Sequence, residues 1–235
     1  METNSKGDLR RHIAIVAKHP FYAEDIREAL VDLDIEIVSS VDILQIQKHI
    51  DHGTKFDFVF FPHYSKVIPE VFLKQNICIG FHTGDLPRDR GGSPIQHKIL
   101  RGEYGTFVSA LKIVYEIDAG DVFCREPISL EHGSIETILK NISKIIAGMT
   151  RVILTENLLP KTQLGPVSTS KRLRPQDSEL EFEVLNVRGI YDRIRMLDGL
   201  DYPSAYIKIG PYKLILSNAQ LQDGKLTFTS KLEEN

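Results

Sequence analysis

The sequence predicts an α/β fold, with a Rossmann-like, mostly parallel sheet, helices on both faces and a small C-terminal β-rich subdomain. Two observations support this prediction. Apolar runs of strand length alternate with helix-length segments between residues 12 and 81, which is the pattern of βαβ units in a parallel sheet. The last sixty or so residues instead contain short strand-like runs separated by turn residues.

The first half of the chain supplies the alternating elements. His12–Ala17 is a compact apolar run, and the segment 22–32 keeps its apolar residues at helical spacing. The remaining predicted elements are strands at 35–38, 56–61 and 77–81, and helices at 41–50 and 67–73. The second of these helices carries a proline near its first turn, where a missing N–H costs little. Because parallel strands end at one edge of a sheet, we expect ligands at that edge.

The second half predicts two strands on either side of a turn at Asp118, followed by a long amphipathic helix. Ser134 is a candidate N-cap for this helix, and Glu136 lies in its first turn. The predicted elements are strands at 108–115, 121–130, 205–209, 213–216 and 225–228 and helices at 134–158 and 187–197. We therefore predict a catalytic domain at 1–160, a polar, turn-rich linker at 161–175 and a subdomain at 176–235, which is too small to be stable without packing on the main body.

The composition limits the classes of partner. A chain of 235 residues with 42% hydrophobic and 26% charged residues matches a soluble globular protein. Its net charge of −3 provides no overall basic field, so no nucleic acid and no anionic membrane is expected. No apolar run approaches the ~20 residues of a membrane span, and Met1–Asp8 lacks the apolar core of a signal peptide. Cys78 and Cys124 lie in strand-like runs, as expected of buried free thiols in the cytoplasm.

The segment from Gly80 to Gln96 is the strongest candidate for a functional site. His82 stands at the end of a strand-like run and is followed by a loop rich in glycine, proline and arginine. Asp118 ends another strand-like run, from which its carboxylate can face the histidine. Taken singly, His82 is equally well explained by a bond to nearby backbone, and Asp118 as the cap of the turn that follows it.

Several other kinds of site are not predicted, because the motifs they would need are absent from the sequence. The first βα junction lacks G-x-G-x-x-G, and neither a Walker-type loop nor a G-x-S-x-G nucleophile elbow occurs. No H-x-x-x-H or C-x-x-C spacing supports a metal site, so no metal is predicted. For His19, His63 and His97 a surface role is favoured.

The string His82-x-x-x-Leu-Pro-x-x-Arg-Gly-x-x-Pro-Ile-Gln, followed by Asp118-Ala-Gly-Asp, resembles the formyltransferases that use N10-formyltetrahydrofolate. That family includes methionyl-tRNA formyltransferase, glycinamide ribonucleotide transformylase and the sugar N-formyltransferases. The segments 172–178 and 194–206 resemble the region that follows the catalytic domain in the tRNA and sugar enzymes. The resemblance covers most of the chain.

The resemblance implies a set of site residues. It implies N10-formyltetrahydrofolate as formyl donor, no metal, and His82 and Asp118 as catalytic groups. By position, the folate is expected at Tyr64, Val67, Ile68, Ile117 and Asp121, and the acceptor at Arg90, Gly91, Gly92 and Gln96. Tyr64 is equally well explained as a rim residue, and Arg90 as half of a salt bridge that tethers its loop.

The chain departs from the family pattern Asn-x-His-x-Ser-Leu-Leu-Pro. Gly80 occupies the Asn position, Gly84 the Ser position and Asp85 the first Leu position. In the family, the Asn amide and a protonated histidine stabilise the oxyanion, while the aspartate orients the imidazole. Three interpretations follow for Gly80: another group donates instead, His82 and Asp118 suffice for a slower enzyme, or the site binds without transfer. Gln96, His63 and a backbone N–H of Thr83-Gly84 are candidates for that other group, and the first two interpretations are favoured.

The acceptor is predicted from the short tail after Arg172 and from the net negative charge of the chain. Both favour a small acceptor, and we expect the amine of a nucleotide-linked deoxyamino sugar, of the kind used in O-antigen biosynthesis. The alternatives are a methionyl-tRNA-type formyltransferase, a formyltetrahydrofolate hydrolase and a non-catalytic folate or nucleotide-sugar binding module. The hairpin-rich tail also offers a strand edge through which a homodimer can form.

Overall fold

The structure is a computed structural model that describes residues 10–181 and 185–234. The stretch Met1–Asp8, in which the sequence predicts no signal peptide, lies outside the described residues. In chain order, the first elements are β1 (Arg11–Val16), α1 (Pro20–Ala29), β2 (Ile35–Ser40), α2 (Ile43–Asp51), β3 (Phe58–Phe61), α3 (Glu70–Gln75), β4 (Cys78–Thr83), β5 (Arg90–Gly91) and α4 (Pro94–Leu100).

The remaining elements are β6 (Gly105–Lys112), β7 (Val122–Ser129), α5 (Ile135–Glu156), β8 (Thr169–Ser170), a 3-10 helix (Pro175–Ser178), α6 (Val187–Arg195), β9 (Tyr206–Ile209), β10 (Tyr212–Gln222) and β11 (Lys225–Glu234). Within the described ranges, none of the helices combines the length and the apolar character that a bilayer span requires.

The main sheet has six strands in the order β2-β1-β3-β4-β6-β7. The pairs β1–β2, β1–β3 and β3–β4 are parallel. Strands β4 and β6 are antiparallel, since Ile113 N donates to Cys78 O at one end and Gly84 N donates to Phe107 O at the other. The mostly parallel sheet that the sequence predicts is thus confirmed, with antiparallel strands added at one side.

The chain divides into two compact units that are discontinuous in sequence. The first contains the described residues up to His82, with Ser109–Arg125 and Ser143–Gln163, and the second contains Thr83–Val108, Glu126–Ile142 and the described residues from Leu164 onward. The chain passes from one unit to the other several times, so each unit is assembled from three separate segments. The predicted linker also makes regular backbone contacts, since its residues Thr169–Ser170 form the strand β8, which pairs with β5 in the second unit.

The core of the first unit explains its continuous apolar runs. Ala14, Val16, Val59, Phe61 and Cys78 are buried together on parallel strands, where both faces of the sheet are covered. Cys78 is 1% exposed, and burial raises the pKa of its thiol to about 12. The thiolate is therefore strongly disfavoured in the folded protein.

We expect Cys78 to resist alkylation by iodoacetamide in the folded protein, even near the ordinary thiol pKa of 9.0, because only the thiolate attacks. Cys124 is only half-buried and provides the internal comparison. Peptide mass spectrometry would measure modification at both positions with and without denaturant. Fast alkylation of Cys78 without denaturant would contradict its burial.

The predicted C-terminal β-rich region is confirmed by an antiparallel sheet in the order β11-β10-β9 within the second unit. The turn between β9 and β10 lies at Gly210, and the turn between β10 and β11 at Asp223–Gly224. Both glycines adopt positive φ, at 58° and 73°, which glycine tolerates without steric cost.

A buried ion network holds α6 in the second unit. Arg195 is 1% exposed and donates to Asp192 Oδ1 at 2.7 Å and to the Leu130 carbonyl at 2.7 Å. Arg188 and the Tyr104 hydroxyl donate to the other Asp192 oxygen, at 3.0 and 2.6 Å. Because Arg188 and Arg195 each lie about one turn from Asp192 on α6, one carboxylate orders both arginines, and it also accepts from Tyr104 of another segment.

We expect Asp192→Asn to lower the free energy of unfolding by about 3–5 kcal/mol, because it leaves the buried Arg195 without its counter-ion. Urea denaturation measures the change. Glu233→Gln is the control, since it removes an exposed pair with Lys231 and should cost less than about 1 kcal/mol. Equal effects of the two substitutions would contradict a stabilising role for the network.

Candidate active site

The structure brings His82 and Asp118 together in the first unit. His82 lies near the carboxyl end of β4, and Asp118 lies in the turn between β6 and β7. Their closest atoms, His82 Nδ1 and Asp118 Oδ2, are 3.3 Å apart. His82 is 6% exposed and the Asp118 side chain 22%, so the pair is largely shielded but still reachable from solvent. This arrangement can hold an imidazole in one orientation while its other nitrogen serves as a proton donor or acceptor.

The backbone of the Asp118 turn is tightly specified. Asp118 has φ of 53°, a left-handed conformation that Asp tolerates better than most residues. Gly120 is required for a different reason, since a Cβ atom there would lie 1.7 Å from the Lys112 carbonyl oxygen. The amide of Lys112 also donates to the Asp121 carbonyl at 2.9 Å. The turn is thus packed directly against the end of β6.

A further residue at this turn, Gln163, was missed by the sequence analysis, which assigned it to the linker. Its amide nitrogen donates to the Asp118 carbonyl at 2.7 Å and to the Gly120 carbonyl at 2.8 Å. Nothing in the local composition marks this role, because the two partners lie more than forty positions earlier in the chain.

Gly80 faces an apolar side chain. A Cβ atom at Gly80 would lie 3.1 Å from Ile113 Cγ1 and 3.2 Å from its Cδ1. Ile113 itself packs against the buried core of the first unit and is anchored by its amide, which donates to the Cys78 carbonyl. The space next to Gly80, where the family pattern expects an Asn side chain, is therefore bounded by Ile113.

Two of the candidate substitutes for the missing amide donate to other carbonyls. The Gly84 amide donates to Phe107 O at 2.9 Å. The Gln96 side chain is 1% exposed and donates to Met196 O at 3.2 Å. The His63 ring is stacked on the Tyr22 ring, with centroids 6.1 Å apart. These contacts favour the interpretation in which His82 and Asp118 act without an added side-chain amide.

The residues expected at the folate differ in their exposure, and all lie in the first unit. Val67 is 93% exposed and Ile117 is 72% exposed, whereas Ile68 packs against the core. Tyr64 packs edge-on against Phe61, and burial, followed by the charge of Asp42, raises the pKa of its hydroxyl. The Asp121 carbonyl is used by Lys112. Val67 and Ile117 are thus uncovered apolar side chains that can contact a planar ring.

The residues expected at the acceptor lie in the second unit, around the β5–β8 pair. Arg90 is 9% exposed, and its amide donates to Ser168 O at 3.1 Å. A Cβ atom at Gly91 would lie 2.4 Å from Ser170 O, so glycine is needed there for the close approach of two backbones. A Cβ atom at Gly92 would likewise lie 2.6 Å from the Cα atom of Arg172. The described residues also contain no group of three His, Cys, Asp or Glu side chains that could hold a metal.

Comparison with known sequences gives a family match and matches to individual relatives. A family model described as "Methionyl-tRNA formyltransferase, C-terminal domain" matches residues 175–232. Methionyl-tRNA formyltransferase of Nitratiruptor sp. is 27% identical over 199 residues, which cover 83% of this chain and 64% of that relative. The chain therefore spans less than two thirds of the length of this curated relative.

Comparison with solved structures gives matches in fold over nearly all of this chain. Methionyl-tRNA formyltransferase from Clostridium thermocellum is 33% identical, with a TM-score of 0.87 and coverage of 96% of this chain and 100% of that one. A sugar N-formyltransferase from Shewanella sp. is 14% identical, with a TM-score of 0.64 and coverage of 96% and 98%. The second likeness concerns the fold alone.

Proposed function

The chain belongs to the formyltransferase family, and from that premise we propose that it transfers a formyl group from N10-formyltetrahydrofolate to a primary amine. The observation that carries the proposal is the His82–Asp118 pair, with 3.3 Å between the imidazole and the carboxylate. Amine formylation needs a group that moves protons at neutral pH, and a histidine oriented by a carboxylate suits that task.

The reaction exchanges one carbon–nitrogen bond for another. The amine nitrogen attacks the formyl carbon and gives a tetrahedral intermediate with a negative oxygen and a positive nitrogen. The bond from that carbon to N10 then breaks, N10 gains a proton and the new amide nitrogen loses one. The products are the formamide and tetrahydrofolate.

His82 has two tasks in this scheme. Its Nε2 moves the proton from the attacking amine towards N10 and, when protonated, stabilises the developing oxyanion. Asp118 accepts from Nδ1–H, which holds the orientation of the ring. Because Gly80 contributes no side-chain donor, a larger share of oxyanion stabilisation falls on His82.

For the formyl donor, we propose direct contacts with the exposed apolar side chains of Val67 and Ile117. Tyr64, Ile68 and Asp121 are proposed as further residues of the folate site. Burial of Val67 and Ile117 by a pterin or benzoate ring would remove apolar surface from water, which is favourable. Backbone groups of the turn around Asp118 would provide polar contacts to the ring.

For the acceptor, the relatives support a methionyl-tRNA-type substrate better than the nucleotide-linked amino sugar that we expected from the sequence. The support is the 33% identity to a methionyl-tRNA formyltransferase along that whole chain. It also weakens the expectation that nucleic acid is not a partner. A nucleotide-linked deoxyamino sugar remains a second candidate, favoured by the net charge of −3, which provides no overall basic field for a large polyanion. In either case Arg90, Gly91, Gly92 and Gln96 are proposed as residues that bind the acceptor.

The experiment is to follow tetrahydrofolate release from N10-formyltetrahydrofolate with methionyl-tRNA, with a nucleotide-linked deoxyamino sugar, and with no acceptor. Release that requires methionyl-tRNA and yields formylmethionyl-tRNA supports the first acceptor, and release that requires the sugar supports the second. Release without any amine would indicate a hydrolase, and folate binding without release would indicate a binding module. Either of these last outcomes would overturn formyl transfer.

A further inference from the structure

We propose that Gln163 is a positioning residue for Asp118, and through it for His82. The proposal rests on the proposed function, since it assigns a further residue to the same site. Its basis is the pair of hydrogen bonds from one amide group to the Asp118 and Gly120 carbonyls, at 2.7 and 2.8 Å. These two carbonyls flank the turn that carries the carboxylate.

The chemistry of the primary amide matches this place. An NH2 group has two N–H donors, and the turn presents two carbonyl oxygens to it. Among uncharged side chains only Asn and Gln provide such a pair of donors on one nitrogen. Gln163 therefore bonds both ends of the segment Asp118–Gly120 with one group.

The turn needs such a restraint because Asp118 is held in a sparsely populated conformation. At φ of 53° a residue with a Cβ atom is less stable than in the common regions, so the surroundings must fix it. The direction of the Asp118 side chain depends on that backbone angle. Loss of the Gln163 bonds would let the turn relax and move the carboxylate away from His82 Nδ1.

Gln163 is itself held in place by backbone bonds two residues earlier. Lys161 and Val122 form an antiparallel bridge, in which Val122 N donates to Lys161 O at 2.8 Å and Lys161 N donates to Val122 O at 2.9 Å. Val122 is the first residue of β7, directly after the turn. The segment that follows α5 is thus fixed to the same strand that the Asp118 turn precedes.

A positioning role makes a prediction that a purely structural role does not. Gln163→Met keeps the length of the side chain but removes both donors. We expect it to lower kcat by about 10–100-fold, the scale of loss for a misplaced catalytic group, while KM changes by less than about twofold and the melting temperature stays near that of the wild type. Gln163→Glu should be more damaging, because its carboxylate would face two carbonyl oxygens.

The second readout does not depend on turnover. The ring ¹⁵N and ¹H NMR signals of His82, assigned by their loss in His82→Ala, report the hydrogen bond at Nδ1. We expect Gln163→Met to shift these signals towards those of Asp118→Ala. The matched control is Gln47→Met, which removes a similar amide bond to Asp51 on the surface of α2 and should change neither kcat nor the His82 signals.

The outcomes separate this proposal from the proposed function. If the wild type transfers formyl groups but Gln163→Met matches it in kcat and in the His82 signals, the positioning role is wrong. If Gln163→Met only lowers the melting temperature and kcat per folded molecule is unchanged, Gln163 is structural and the proposal is again overturned. If no acceptor is formylated, the His82 signals of Gln163→Met still test the positioning role.

Discussion

Replacement of His82 by alanine should lower kcat for formyl transfer by about 10²–10⁴-fold, the usual contribution of a positioned acid or base. The expected loss is towards the upper end, because the group at position 80 has no side chain to share the stabilisation of the oxyanion. The measurement is the initial rate of tetrahydrofolate release at saturating donor and acceptor. The control is His132→Ala, since His132 is 80% exposed and lies in the second unit.

Asp118→Asn tests the second member of the pair. An asparagine keeps the size of the side chain but loses the carboxylate that accepts from His82 Nδ1–H and orients the ring, so we expect a loss of about 10²-fold in kcat with little change in KM. Asp223→Asn is a close control, because Asp223 also has positive φ in a turn between two strands. If both His82→Ala and Asp118→Asn retain wild-type rates, these residues are not the catalytic groups.

The fold was predictable from the sequence where periodicity and apolar runs determine local structure. The segments predicted as strands at 12–17 and 35–38 correspond to β1 at Arg11–Val16 and β2 at Ile35–Ser40. The helix predicted at 134–158 is α5, at Ile135–Glu156. Such runs predict their structure because each element must bury its own apolar face.

Contacts between residues far apart in sequence were not predictable in the same way. The β5–β8 pair joins two-residue segments about eighty positions apart, too short for either to show a strand pattern. Arg195 is charged, yet it is almost fully buried because Asp192 and the Leu130 carbonyl satisfy it. Gln163 lies in a turn-rich stretch whose composition is typical of a linker. In each case the partner, rather than the local pattern, determines the role.

The candidate site likewise has residues that the local sequence pattern predicted and a contact that it did not. His82 and Asp118 were identified because they follow strand-like runs and match a family motif, and the structure places them 3.3 Å apart. The identity of the side chain that borders Gly80 was not accessible, because Ile113 lies more than thirty positions later in the chain, directly after β6. The sequence therefore revealed that an amide was missing at position 80, but only the structure shows that Ile113 borders this position.

The packing of Ile113 against Gly80 determines what an added amide would do. An Asn at position 80 would bring its Cβ to 3.1 Å from Ile113 Cγ1, closer than normal contact. The Ile113 backbone is fixed by its bond to Cys78 O, and the χ1 angle of a β-branched residue is stiff. We therefore expect Gly80→Asn alone to lower the free energy of unfolding by about 1–3 kcal/mol, as overpacking does, and not to raise kcat.

Shortening Ile113 to alanine should make room for an Asn side chain at position 80 and let its amide contribute to catalysis. We expect the double variant Gly80→Asn/Ile113→Ala to exceed Ile113→Ala in kcat by about 10–100-fold, because an oxyanion donor is typically worth about 10²–10³-fold when well placed. The control Gly80→Ala/Ile113→Ala adds a Cβ atom without the amide and should show no such gain.

The two substitutions Gly80→Asn and Ile113→Ala should also be coupled in stability by about 0.5–3 kcal/mol, measured as a double-mutant cycle in urea. A gain in kcat from Gly80→Asn alone would show that Ile113 is no obstruction, and a double variant no faster than its alanine control would show that an amide at position 80 does not reach the oxyanion.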